Sequence, residues 1–186
     1  MHEIEIDFKK SQREIAGKIT REMRFYITSL TLLAHAIACL VDSQGRILVD
    51  ALRPASLPEP VRAALSDVSV GQGPGDPVID PNWGEPGLTS EEKIFGWNTL
   101  EVLAFKTGTP EAPVNAIPPA AKATMQLRFV VGTDVDGILP AVQARLDAHG
   151  LRRVTAKPAR METFAATRLD PLCRESTAIF DALEGH

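Results

Sequence analysis

The sequence predicts an α+β two-layer sandwich: an antiparallel sheet of about four strands with two helices on one face, plus a Pro/Gly-rich insertion. Three observations predict it. Several segments alternate apolar and polar side chains with period two, others repeat apolar residues at helical spacing, and the two kinds succeed each other along the chain. The order reads strand, helix, strand, insertion, strand, strand, helix, strand.

The first strand spans 3–9, where Ile4, Ile6 and Phe8 alternate with Glu3, Glu5, Asp7 and Lys9, giving one wet face. From Ser11 to Asp42 the pattern turns helical. Leu30, Leu33, Ile37, Leu40 and Val41 form one stripe, Ser11 caps the start and Gly17 is a point where the helix could divide. Asp42-Ser-Gln-Gly45 is a turn, and Arg46-Ile-Leu-Val49 reads as a short strand paired in a hairpin with the strand at Trp97.

Residues 52–87 hold seven of the fourteen prolines and five of the thirteen glycines. That composition excludes regular structure apart from a short helix at Pro60 to Ser66, so the segment is an insertion that either runs over the surface or reaches a neighbouring domain. Trp97 to Thr107 resumes as a strand, with Leu103 and Phe105 on one face and Val102 and Ala104 on the other. Ala123, Met125, Leu127, Phe129 and Val131 make an unbroken apolar face, which turns Arg128 away from the core. Thr133 or Asp134 caps a helix carrying Val135, Ile138, Leu139, Val142 and Leu146, and Gly150 ends it. Leu151 to Ala156 is the last strand. Two helices on one face of this sheet make a ferredoxin-like domain over residues 1–157, followed by a tail at 158–186.

Composition narrows the function. The chain has 186 residues, 44% of them hydrophobic, and 20 Lys+Arg against 24 Asp+Glu leave a formal charge of −4. A mildly acidic chain without clustered cations points to neither nucleic acid nor an anionic membrane surface. Its longest apolar run, Leu30 to Val41, is short of the ~20 residues a bilayer needs. The acidic, alternating N-terminus is unlike a signal peptide, so a cytoplasmic setting is expected. Cys39 reads as a small buried hydrophobe and Cys173 as a tail residue, with no disulfide framework.

No residue pattern announces catalysis. His2, His35, His149 and His186 fall in no metal-binding spacing, and no Ser or Cys sits in a nucleophile motif. His35 reads as a partly buried helix residue and His149 as a cation at a helix C-terminus. Gly71-Gln-Gly-Pro-Gly75 lacks the Lys-Ser/Thr of a phosphate loop. The expected inventory is therefore no catalytic residue, no metal ligand and no cofactor in this chain.

One stretch is more specific. It consists of the strand at Trp97, a loop ending in Asn115-Ala-Ile-Pro118, a strand carrying Arg128, then Gly132-Thr-Asp134 and a helix. It resembles the lid, or dimerisation, domain of the aminoacylase and carboxypeptidase-type di-zinc metallopeptidases, metallopeptidase family twenty. Leu33-Ala-His-Ala-Ile-Ala-Cys-Leu-Val-Asp42 is similar to that domain's first helix, and Phe164-Ala-Ala-Thr-Arg-Leu-Asp170 to the return into the catalytic domain.

The resemblance implies a homodimer and a role beside a catalytic domain outside this chain, with zinc held there. It also implies that Asn115 and Arg128 contact a small carboxylate- or amide-containing substrate. An Arg fork suits a carboxylate, and an Asn supplies both donor and acceptor. Read on their own, the same two residues fit a cross-strand surface pair and a turn. Two departures stand out: the family's His-x-Asp and Glu-Glu metal ligands have no counterpart, and residues 9–28 lack the histidine the lid carries there. The chain alone is thus expected to bind and dimerise rather than to hydrolyse amide bonds. The alternative is a homodimerising interaction module without a ligand.

Overall fold

The computed structural model describes residues 2–9, 29–71, 73–76, 78–113, 118–159 and 166. Strands β1 (His2–Lys9), β2 (Thr99–Thr107), β3 (Ala120–Arg128) and β4 (Val154–Pro158) form one sheet in the order β2-β3-β1-β4. Each neighbouring pair is antiparallel. Helix α1 (Ser29–Leu40) lies in the connection from β1 to β2, and α4 (Ile138–Ala148) in that from β3 to β4. In both cases the connected strands run parallel with one antiparallel strand between them. This is the ferredoxin-like arrangement the sequence predicts.

Burial follows the period-two pattern. On one face Ile4 meets Met125 and Ile6 meets Ala123 across β1 and β3, all essentially inaccessible to water. From α1, Leu33, Ala36 and Leu40 pack on them; from α4, Ile138, Val142 and Leu146 do the same. Their separation by three or four residues keeps each triplet on one helix face. Cys39 is buried with its thiol donating to the Ala36 carbonyl at 3.1 Å, as a small core residue would. Helix α4 ends in a Schellman motif: Gly150 at φ 75 donates to the Asp147 carbonyl and Leu151 to that of Leu146.

Several expectations are corrected. The described part of the first helix begins at Ser29, and its residues 11–28, with Ser11 and Gly17, lie outside the described residues. Leu30 is 42% exposed, off the buried stripe, and His35 is exposed because it falls on the outer side of the helix. Arg46–Val49 is no sheet strand: it makes one bridge, Val41 to Ile47, because Asp42 ties the turn locally by accepting from the Gln44 and Arg46 amides. Strand β3 stops at Arg128, so Phe129 and Val131 leave the ladder. Helix α4 starts at Ile138 rather than Val135; Asp134 closes the preceding turn by accepting from Gly137.

The insertion is ordered by ion pairs. Helix α2 (Glu59–Leu65) stands where the short helix is expected, and a second one, α3 (Ser90–Phe95), follows the proline-rich part. The capping box Thr89-Ser-Glu-Glu92 starts α3 and was visible in the sequence as a motif. Glu92 also pairs with Arg62 of α2 at 2.5 Å, and Arg53 pairs with Glu85 at 2.5 Å, joining the two ends of the insertion. No helix among the described residues is long and apolar enough to cross a membrane.

Candidate dimerisation surface and the Arg128 end of the sheet

The two helices do not cover the sheet evenly. Helix α1 rests on β1 and β3, and α4 on β4 and α1. Strand β2 is left at the rim. Leu100, opposite Leu127, is buried, yet Val102, Leu103 and Phe105 are 43%, 52% and 42% exposed. The register shifts between Val102 and Ala104, so Leu103 is the extra residue of a β-bulge. That corrects the expected faces: Val102 opposes Met125 and Phe105 opposes Ala123, which places both on the helix-side face. Alternation cannot reveal this, because a bulge adds one residue and inverts the pattern after it.

Among the described residues the sheet has two unpaired edges with different chemistry. Edge strand β4 has five residues, ends in Pro158 and carries Lys157, all features that discourage pairing. Edge strand β2 has nine residues and an apolar, exposed centre. An exposed apolar strand edge of that length marks an association site.

The polar face of the sheet is built around Glu5. This carboxylate is buried and takes ion pairs from Lys122 and, at 2.9 Å, from Lys157, which also meets Asp7 at 3.0 Å. Burial pushes the Glu5 carboxyl up, but the hydrogen bonds from Lys122 and Lys157 outweigh it and hold it below its ordinary value. Hydrogen bonds to Glu5 and Asp7 in turn raise Lys157.

Arg128 closes β3, exposed on that polar face as expected, with Nε donating to Gln126 Oε1 at 3.3 Å. Asn98 holds this end of the sheet together: its buried amide donates to the Leu52 carbonyl at 2.8 Å and accepts from the Val130 amide at 2.8 Å. Sequence reading missed Asn98; an Asn directly before a strand was its only signal. Asn115 lies outside the described residues. The loop it belongs to joins Thr107 of β2 to Ala120 of β3, where the Thr107 hydroxyl donates to the Ala120 carbonyl at 3.3 Å. That is the opposite end of β3 from Arg128, eight residue steps or roughly 26 Å away. Among the described residues no three of His, Cys, Asp and Glu converge to hold a metal ion, so they do not make a zinc site.

A two-layer α+β domain whose one apolar, open sheet edge calls for a second surface is an association domain. The chain belongs to the peptidase dimerisation domain family, whose model matches residues 22–154. Solved structures of M20 family type share the fold. The M20 family metallo-carboxypeptidase Sso-CP2 of Sulfolobus solfataricus matches at TM-score 0.58 and 19% identity over 88% of this chain and 44% of that one. Human carnosine dipeptidase 1 matches at 0.57 and 15%, over 85% and 35%. The di-peptidase Dug1p of Saccharomyces cerevisiae matches at 0.64 and 17%, over 98% and 40%. The chain thus spans less than half the length of each. No curated protein matches the sequence.

Proposed function

We propose that this chain is the lid and dimerisation part of a zinc-dependent peptidase or amidohydrolase, and that two copies associate through β2. The observation that carries the association is the nine-residue β2 edge with Val102, Leu103 and Phe105 exposed. A second copy placed by a two-fold axis presents the same edge antiparallel, which completes the ladder and covers the apolar side chains at once. Sedimentation equilibrium of the chain tests this. A dimer that L103K/F105K converts to monomer is expected; a wild-type monomer at 100 μM, or a dimer indifferent to the double substitution, overturns it (concentration on the order of a weak association constant).

Catalysis belongs, on this reading, to a metal-holding domain outside these residues, and the substrates follow the dipeptidase and carboxypeptidase neighbours in carrying a carboxylate. Arg128 supplies a guanidinium for that carboxylate, and Asn115 an amide contact. Arg128→Ala is expected to abolish binding of an N-acyl amino acid to the catalytically complete protein without altering the fold. Unchanged affinity would favour the ligand-free interaction module instead.

A further inference from the structure

The insertion buries a cation and gives it no counter-charge. Lys93 on α3 is only 8% exposed, and its Nζ makes one hydrogen bond, to the Pro81 carbonyl at 3.4 Å. An ammonium has three N–H donors, and 3.4 Å is long for any of them. The carboxylates on the adjoining segments are already engaged: Asp42 accepts from Arg46 Nε at 2.6 Å, and Glu85 and Glu92 meet Arg53 and Arg62, each at 2.5 Å. Among the described residues no carboxylate pairs with Lys93. A lysine held this far from water ordinarily has such a partner.

Beside Lys93 lies open space. A cavity of about 470 Å³, within the ~300–1,000 Å³ range of ligand clefts, separates the turn 42–45 from residues 81–88. Gln44, Arg46, Asn82 and Lys93 line it together with Pro81 and Leu88, and no Asp or Glu does. Arg46 commits its Nε to Asp42, while its two terminal amino groups make no hydrogen bond among the described residues. The walls are fixed. The Gly84 amide donates to the Gln44 carbonyl at 2.6 Å, and the Trp83 indole lies on Gly45, where an added Cβ would come within 2.9 Å of Nε1.

We propose that this cavity binds a small monoanionic carboxylate, its oxygens shared between Lys93 Nζ and the amino groups of Arg46. Asp42 offsets Arg46, which leaves one positive charge in the wall: a monoanion neutralises it, whereas a phosphate dianion would place surplus negative charge beside Asp42. Pro81 and Leu88 suit a short aliphatic body. The site does not include Arg128 and is independent of association through β2.

Titrating the labelled full chain with N-acetylalanine, and following the amide resonances of Gly84 and Gly87 at constant ionic strength, tests this. Saturable shifts at both glycines are expected, with none from the uncharged N-acetylalaninamide. Lys93→Met keeps the buried stem and removes the charge, so affinity should fall at least tenfold; Lys93→Arg should retain it within about threefold. The absence of saturable shifts, equal shifts from the amide, or undiminished affinity in Lys93→Met would overturn the site. Tighter binding of inorganic phosphate than of N-acetylalanine would overturn the monoanion assignment.

Discussion

Strands β2 and β3 are neighbours with similar apolar content and opposite fates. In β3, Ala123, Met125 and Leu127 are wholly buried beneath α1; in β2, Val102, Leu103 and Phe105 stand open at the rim. The difference is position. Helix α1 spans β1 and β3 and α4 lies over β4, so β2 keeps Val102 and Phe105 exposed on the helix-side face. An apolar alternation identifies a strand and its inner face, but says nothing of whether anything lies on that face. Where nothing among the described residues does, a second surface is the economical explanation.

Substitutions sharpen this contrast, beginning with the largest effect. Met125→Ala removes a fully buried side chain under α1 and should cost about 2–5 kcal/mol in a urea melt. A loss below about 1 kcal/mol would mean the core collapses around β3 more easily than its packing implies. Asn98→Ala orphans the Val130 amide between the start of β2 and the end of β3 and should cost about 1–3 kcal/mol, read in the same melt.

Phe105→Lys, by contrast, should leave the dilute-limit melt nearly unchanged and weaken self-association at least tenfold, or ~1.4 kcal/mol, by sedimentation. If it unfolds the domain instead, β2 is core and the contrast fails. A smaller effect concerns acid. Glu5 and Asp42 have folded-state values below their ordinary ones: burial raises each, while bonds from Lys122 and Lys157 in the first case, and from Arg46 and Gln44 in the second, more than reverse it. Their stabilisation is complete above the unfolded value, and it is lost as the pH falls through the lower folded values. The melting temperature should thus be level near neutrality and drop in the acid range. Lys157→Met should flatten that drop; an unchanged acid limb would remove Glu5 from the account. Smallest of all, Arg128→Ala should shift stability by no more than about 0.5 kcal/mol, as expected for an exposed end of β3.

The residues themselves determined a great deal here. Alternation over β1 and β3, the helical spacing of Leu33, Leu40, Ile138, Val142 and Leu146, and Gly150 as a stop each state a local preference that the tertiary environment had no reason to override. Arg128's outward direction follows from the same parity. The Asn115-Ala-Ile-Pro stretch carried the family resemblance that the match over residues 22–154 bears out.

Only the tertiary structure decided the rest. The bulge at Leu103 inverted the faces of β2, since parity holds only while residues pair one to one. Arg46–Val49 became a lone bridge because Asp42 satisfied the turn amides before a ladder could extend. The strand order placed β2 at the rim. Such facts are long-range: they depend on which strand lies beside which, and the pairing energy that selects the order is a sum over residues distant in sequence. Local periodicity holds no record of that sum.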